Sequence, residues 1–448
     1  MRVIIAGAGQ VGQYLCEKLS QEGQEVVLID NNENKLRRLE RNLNILPVQG
    51  SAASARILEE AGIDRANLFI AVTDSDEVNL ISCIISQQYK VQSRVARVRN
   101  EDFYGSGKSL TEKALGVDLL ISPDIAMADE TIKLSQLSDA FDVAEFAGGQ
   151  VVLLGYKINK GNPAIGLSLV QLQKKQKQNS FVIVSISRED KTIIPHGDTL
   201  IKVDDRIYVV ARKKDILAVE SLFQFTSRAA KKIFIIGGGA IGYLVAKRME
   251  QHNFNVCLVE EKRDRCHFLT SELENTVVLN FDGLESDGLL EEGIDMADLV
   301  IAVTENDTTN LLSSLLAKHH GAKRCITKIT RPDFIPLLGK LGIDVALSPR
   351  LLAADLILSF VRGRGKILSV ATIQNSDAEV MEMLVPDDAK FRDVPLKFLN
   401  LPMDAVIGAI VRKKKVIIPS GETNLKTGDK MVIFATREAI ARVEAFFE

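Results

Sequence analysis

The chain of 448 residues has no tryptophan, and its aromatic content is only 5%. A surface that binds nucleic acid by stacking bases on rings is therefore poorly supplied. Excess charge of one sign is also missing: 56 Lys and Arg stand against 59 Asp and Glu, a formal net charge of -3. Binding that neutralises many phosphates needs a basic surplus, so no nucleic-acid partner is expected. No run of about 18 apolar residues free of charge is present, so no membrane-spanning helix is expected. The opening MRVIIAGAG enters a glycine loop at once and lacks the apolar core and cleavage site of a secretory leader. The five cysteines, Cys16, Cys83, Cys257, Cys266 and Cys325, include no C-x-x-C pair. Their scatter suits buried free thiols in a reducing compartment, and no Cys/His cluster has metal-ligand spacing.

What the sequence does contain is itself, twice. IIAGAGQVG near residue 4, with a strand ending at Asp30, returns as IIGGGAIG near residue 235, with a strand ending at Glu260. ILEEAGIDRANLFIAVTDSDEVN (57–79) returns as LLEEGIDMADLVIAVTENDTTN (289–310), and GVDLLISP (116–123) as GIDVALSP (342–349). Residues 181–211 return as 405–435. Each copy thus fills half of the chain, too long a period for a solenoid.

Within each copy, short β-branched runs alternate with helical stretches, the pattern of βαβ units in a parallel sheet buried on both faces. Turn-rich strands follow, around PHGDT (195–199) and PSGET (419–423). The expected fold is α/β: two Rossmann-like doubly wound parallel-sheet domains, each followed by a small α+β domain. The boundaries fall at 1–139, 140–226, 230–362 and 363–448. Helical stretches at 123–137 and 349–361 link the two parts of each copy.

A G-x-G-x-x-G string means little alone, but here Gly7, Gly9 and Gly12 follow a strand and open a helix. Gly7 permits the tight turn, Gly9 admits a pyrophosphate close to the backbone, and Gly12 lets helix pack on strand. The helix start then offers free N–H groups and partial positive charge. Gly237, Gly239 and Gly242 repeat the set. Asp30 and Glu260 end the second strand of each copy, where a carboxylate can accept from ribose hydroxyls and repels a 2′-phosphate. That favours NAD over NADP. Thr73, Asp74, Thr304 and Glu305 follow the fourth strand, at the ligand end of the sheet. Asp76 and Asp307 fit either a ligand contact or helix N-caps. Arg97 and Lys328 follow the fifth strand, facing phosphate or closing a surface salt bridge.

Catalytic groups are wanting. A dehydrogenase needs a proton donor or acceptor beside the nicotinamide. Three Tyr-x-x-x-Lys strings occur, Tyr14/Lys18, Tyr104/Lys108 and Tyr243/Lys247, but two lie on the helix leaving the glycine loop and the third in YGSGK. No G-x-x-x-x-G-K-S/T loop and no Ser-His-Asp grouping is evident. Nucleotide binding without chemistry points to a sensor, with an NAD-dependent oxidoreductase as the alternative.

Tandem units of this kind, each with an AVT…D…N segment and an IIP-x-G-Asp/Glu-T small domain, resemble the RCK (regulator of K⁺ conductance) family over essentially the whole chain. The resemblance implies a peripheral cytoplasmic protein, a ring-shaped homo-oligomer (a tetramer of tandem chains) beneath a membrane potassium channel or transporter subunit. It implies NAD(H), with ATP or ADP at the same or a related site. By matching position the nucleotide residues are Gly7, Ala8, Gly9, Gln10, Val11, Gly12, Asp30, Thr73, Asp74 and Arg97. In copy two they are Gly237, Gly238, Gly239, Ala240, Ile241, Gly242, Glu260, Thr304, Glu305 and Lys328. The family's Gly-Asp after the third strand is replaced by Gly50-Ser51 and Phe281-Asp282. A regulator of another ion transporter is a further alternative. Neither a catalytic residue nor a metal ligand is assigned.

Overall fold

The computed structural model describes the chain except residues 101–102, 104–114, 138, 176–179, 190, 226–229, 253, 332–333, 363–366, 373–377, 387–392, 403, 414 and 448. Tyr104 and Lys108 lie outside the described residues.

Copy one begins with strands β1 (Arg2–Ala6), β2 (Glu25–Asp30), β3 (Ile45–Gln49), β4 (Leu68–Ala71), β5 (Ser93–Arg97) and β6 (Leu119–Ile121). Helices α1 (Gln10–Gln21), α2 (Glu33–Glu40), α3 (Ala55–Glu60), α4 (Asp76–Gln88) and α5 (Pro123–Ser135) connect and follow them. The strands are parallel in the order β3-β2-β1-β4-β5-β6. Val3, Ile4 and Ile5 of central β1 have no exposed surface, as a strand covered on both faces requires. The small domain has β7 (Ala140–Phe146), β8 (Val151–Lys157), α6 (Leu169–Lys175), β9 (Phe181–Arg188), β10 (Lys191–Ile193), β11 (Arg206–Arg212) and α7 (Ile216–Phe223). Its antiparallel sheet runs β10-β9-β11-β8-β7.

Copy two repeats the plan. Its parallel strands are β12 (Lys232–Ile236), β13 (Asn255–Val259), β14 (Val277–Leu279), β15 (Leu299–Ala302), β16 (Cys325–Lys328) and β17 (Val345–Leu347), ordered β14-β13-β12-β15-β16-β17. Its helices are α8 (Ala240–Glu250), α9 (Arg263–Glu272), α10 (Ser286–Glu291), α11 (Asp307–His320), α12 (Ile335–Leu338) and α13 (Pro349–Arg362). The second small domain holds β18 (Ile367–Thr372), β19 (Ala378–Leu384), β20 (Ala405–Arg412), β21 (Lys415–Ile417), β22 (Lys430–Thr436) and α14 (Arg437–Phe447), in the sheet order β18-β19-β22-β20-β21. Both Rossmann-like sheets and both small α+β domains therefore have the expected form.

The linking helices do more than connect. Met127, Ala128, Ile132 and Leu134 of α5 share one buried cluster with Ile241, Val245, Ala246 and Met249 of α8. Reciprocally, Ala353, Ala354, Ile357, Leu358 and Val361 of α13 complete the cluster around Val3, Leu15 and Leu19 in copy one. The helix that closes each parallel-sheet domain is built into the other copy's first helix. Charge follows the same exchange: Asp129 of α5 pairs with Arg248 of α8, and Arg362 of α13 pairs with Glu22 after α1. Arg324, only 8% exposed, donates to the carbonyls of Leu134 (2.7 Å), Leu137 (2.8 Å) and Ala140. It thereby satisfies acceptors that the end of α5 leaves without helical partners. The two small sheets also pack face to face, Val184, Tyr208 and Val210 against Val380, Val432 and Phe434.

Two arginines brace the small domains from within. Arg188 grips buried Asp205 through two bonds of 2.7 and 2.8 Å, and Arg412 grips buried Asp429 at 2.9 and 2.8 Å. Lys213 pairs with Glu145 at 2.8 Å on the surface.

Two outcomes follow for the exchange. Ile357→Ala removes buried methyls from the copy-one core and is expected to cost about 2–4 kcal/mol in urea unfolding; an unchanged midpoint would contradict the packing. Asp355 of α13 supplies the other. Burial pushes its carboxyl up to about 7, against the opposing pull of Arg362. An acid whose folded pKa is raised favours folding when protonated, so this stability is complete below ~pH 4 and lost as pH rises through about 7. Asp355→Asn is expected to flatten the fall in Tm between about pH 5 and pH 8, and an equally steep fall would refute the assignment.

Candidate functional site

Three loops leave the carboxyl ends of the central strands at one level. Ala6 pairs with both Ile29 and Ala71, so Gly7, Asp30 and the Val72–Thr73 segment emerge side by side where the strand order reverses. Ala71 pairs in turn with Ala96, which places Arg97 next in line. In copy two, Ile236 pairs with Val259 and Ala302, and Ala302 with Thr327 just before Lys328.

The glycines divide their roles as spacing suggests. Gly7 has φ +111°, and a Cβ there would lie 2.9 Å from the Thr73 nitrogen. A Cβ on Gly12 would lie 1.9 Å from the Gly7 carbonyl oxygen. Gly9 is different: no atom lies within 4 Å of where its Cβ would be, so its missing side chain leaves open space. Gly237, Gly239 and Gly242 repeat this, with Glu305 Oε1 the nearest atom to a Gly239 Cβ at 3.9 Å. Gly9 and Gly239 are also the N-caps of α1 and α8, and neither helix has a side-chain cap. By contrast Ser75 caps α4 and Asn306 caps α11. The first turns at Gln10–Val11 and Ala240–Ile241 thus keep N–H groups for an anion.

The acidic residues close the loop from the side. Asp30 accepts from the Ala8 nitrogen at 2.6 Å and the Asn32 nitrogen at 2.8 Å. Glu260 accepts from Gly238 at 2.7 Å and Lys262 at 2.9 Å. Two backbone bonds fix each carboxylate beside its glycine turn, while its further lone pairs can accept hydroxyl donors.

Buried amides that sequence reasoning passed over hold the third loop. Asn79 Oδ1 accepts from the Thr73 nitrogen (2.9 Å) and Oγ1 (2.7 Å), and its Nδ2 donates to the carbonyls of Thr73 (3.1 Å) and Arg97 (2.8 Å). Asn310 does the same for Thr304 and Lys328. The signal was present: each copy has Asn six residues after that Thr. Asp76 and Asp307 are not the N-caps. They sit inside the first turn and accept from Arg99 and Asn100, and from Thr330 and Arg331, which draws the loop after the fifth strand toward the helix.

Arg97 and Lys328 are not surface cations, each being 6% exposed. Arg97 donates to the Thr73 carbonyl at 3.2 Å and reaches exposed Asp74 at 3.4 Å; Lys328 reaches Glu305 at 3.3 Å. Burial lowers the pKa of Arg97, with Arg99 adding to the effect and Asp74 opposing it. Its buried Nε has no partner among the described residues. That unused donor, the open face of Gly9 and the uncapped α1 together fit an anionic nucleotide.

The copies differ at their edges. In copy two Arg265 of α9 donates to the Gly238 carbonyl at 2.6 Å, and Asn280 to the carbonyls of Glu260 and Glu261 at 2.9 Å each. Both lie outside any repeated motif, which hid them from the sequence. Gly50, at φ +150°, packs against Ile57 in copy one, whereas Asp282 accepts from the Leu284 nitrogen at 2.9 Å in copy two. The Tyr/Lys strings turn elsewhere: Tyr14 packs against the cluster that holds α13, and Tyr243 lies beside Lys247 (2.6 Å) and Glu272 (3.2 Å). Four cysteines are buried and Cys257 partly so; burial pushes the Cys16, Cys83 and Cys325 thiols up to about 12. Among the described residues no cluster of His, Cys, Asp or Glu is arranged to hold a metal ion.

Two glycine loops, each with its acid and its buried cation, define a duplicated dinucleotide-type fold whose halves share their closing helices. The TrkA-N domain family matches residues 3–123 and 233–349, and the TrkA-C domain family matches 153–224 and 380–448. The chain is 35% identical to Trk system potassium uptake protein TrkA homolog 1 of Methanosarcina mazei over the full length of both. It is 34% identical to Trk system potassium uptake protein TrkA of Halomonas elongata, across all of this chain and 99% of that one. The chain belongs to the TrkA family. Among solved structures, the GsuK RCK domain superposes with a TM-score of 0.62 at 19% identity, covering all of this chain and 94% of that one. The GsuK channel bound to NAD gives the same TM-score and identity over 78% of its chain. At that identity the likeness is one of fold.

Asn79→Ala strands the Thr73 nitrogen and the Arg97 carbonyl, and is expected to cost about 1–3 kcal/mol. Asn310→Ala is expected to match it. Thermal melts of both variants at the wild-type Tm would overturn this role.

Proposed function

We propose that the chain is a non-catalytic, nucleotide-sensing regulatory subunit of potassium uptake. It binds NAD(H), with ATP or ADP as a competing or second nucleotide, and sets the activity of a Trk-type membrane channel or transporter subunit. The observation that carries this reading is the paired arrangement of uncapped glycine-loop helix and fixed carboxylate, Gly7–Gly12 with Asp30 and Gly237–Gly242 with Glu260, in a chain of the TrkA family. The first-turn N–H groups would take the phosphates, Asp30 and Glu260 the ribose hydroxyls, and Arg97 and Lys328 would add positive charge. Thr73, Asp74, Thr304 and Glu305 would line the remaining side. The bound group supplies no reaction in this scheme, only differential affinity between shapes of the assembly.

Asp124, at the start of α5, supports a link between the two sites. Burial raises its pKa; Arg99 of its own copy and Lys328 of the other pull it down, and Glu305 pushes it up. One carboxylate thus feels both nucleotide loops. Residues 1–139 and 230–362 act as the sensing domains and 140–226 and 363–448 as the small domains of the same unit. Four such chains form a ring that sits on the cytoplasmic face of the membrane through its pore partner. No helix of the described residues is long and apolar enough to cross a membrane, so contact falls to that partner. Coupling of about 1–3 kcal/mol per site suffices to shift such a ring.

Calorimetric titration tests this reading. The chain is expected to bind NADH, and Asp30→Ala to weaken the copy-one site at least 10-fold. Binding of neither NADH nor ATP, or an unaltered variant, would refute the assignment, and turnover of NADH with a cellular substrate would return the oxidoreductase alternative.

A further inference from the structure

A cavity of about 390 Å³ opens at the seam between the copies, on the far side of β16 from the glycine loops of copy two. Copy one contributes Lys157 and Arg206 from its small domain. Copy two contributes Lys318, Lys323 and Arg324 from its parallel-sheet edge. Against these five cations stand two carboxylates of the lining, Asp139 and Asp344, and two just outside it, Asp204 at 3.0 Å from Lys157 and Asp298 at 2.6 Å from Lys323. Asp344 is already engaged, by Lys318 at 3.1 Å and the Cys325 nitrogen at 2.8 Å. Asp139 has a partner of its own.

Arg206 stands out. Its guanidinium lies over the Phe141 ring, 5.2 Å from the centroid, and spans the seam close to Gly339 of copy two, where a Cβ would be 3.1 Å from Nη2. Among the described residues it has no carboxylate or carbonyl partner. A ring-braced guanidinium with a free fork suits a phosphate or carboxylate.

The internal repeat shows that folding does not require this charge. The register Val300↔Cys325 in copy two answers to Phe69↔Arg94 in copy one, which places Gln87, Gln92 and Ser93 where copy two has Lys318, Lys323 and Arg324. Likewise Arg206↔Lys157 answers to Lys430↔Leu384. Four of the five cations are thus neutral in the equivalent positions. The fifth, Lys430, faces Glu382 at 3.5 Å. Lys157, Lys318 and Lys323 come with acids of their own, so what sets this seam apart is Arg206, which has no acidic partner among the described residues where Lys430 has Glu382.

We infer that this seam cavity is a binding site for a small multivalent anion bearing phosphate or carboxylate groups, which joins the small domain of copy one to the parallel-sheet domain of copy two. The volume lies in the range of small-molecule sites, about 300–1,000 Å³. Lys157 and Arg206 approach from one copy, Lys318 and Lys323 from the other. Arg324, which spends its donors on backbone carbonyls, adds its charge from behind. Occupancy ties the two copies together at a point remote from both glycine loops.

The test uses the full chain and two probes, pyrophosphate and citrate, in calorimetric titrations with NADH present throughout. Saturable binding of at least one probe, with one site per chain, is expected; pyrophosphate binding more tightly identifies the phosphate class and citrate the carboxylate class. The variant K157L/K318Q/K323Q, which installs the residues of the equivalent positions, is expected to weaken that binding at least 10-fold. R206Q is expected to do so alone. NADH affinity is expected to be unchanged in both, which also shows that they fold. Absence of saturable binding by the wild type, or wild-type affinity in both variants, would overturn the inference. A failure of NADH to bind bears only on the glycine loops.

Discussion

A helix that must bury two apolar faces cannot be satisfied by one sheet. α5 and α13 are such helices, and the chain solves the problem by exchange: each lays one face on the other copy's leading helix, α8 or α1. The gain is roughly 25 cal/mol for every Å² of apolar surface removed from water, and it accrues only when both copies are present. From this one constraint the rest follows. The two parallel sheets are held as a pair, the small sheets are brought face to face, and Arg324 of one copy caps the helix of the other. A sequence duplication has become a single packing unit.

The nucleotide-type loops inherit that pairing. α1 begins at Gly9 and carries α13 on its flank; α8 begins at Gly239 and carries α5. Whatever displaces a glycine-loop helix therefore presses on a helix that continues into the opposite small domain. Asp124, at the head of α5, is acted on by charged residues from both switch loops. Packed interfaces of this kind change between discrete arrangements rather than stretch, so a displacement of a fraction of an ångström at one loop can be passed on.

The sequence made the repeats, the ligand end of the parallel sheets and the glycine geometry legible, because each rests on local rules. φ above zero at Gly7 and the bare face of Gly9 are consequences of spacing along a strand-turn-helix. Other features were not visible because they depend on partners distant along the chain. Asn79 and Asn310 ended a repeated motif, yet their four-way bonding needs the fifth strand alongside. Asp76 and Asp307 looked like caps by residue type; Ser75 and Asn306 take that place, and the acids reach across to the next loop instead. The exchange of α5 and α13 was hidden for a simpler reason: an apolar stripe says that a helix is covered, not by what.

Differences between the copies matter as much as their likeness. Arg265 and Asn280 brace the second glycine loop, whereas at the first Gln13 donates to the Ala8 carbonyl at 2.9 Å and Gln49 to the Asn31 carbonyl at 3.5 Å. Whether the copies respond as one body through exchanged helices is decided by hydrogen–deuterium exchange with and without NADH in Glu260→Ala, where copy one alone retains its acid. Added protection is expected in residues 7–12 and also in Pro349–Arg362, which belongs to copy two by sequence but lies on α1. Protection confined to copy one's own segments, with Pro349–Arg362 unaltered, would contradict it.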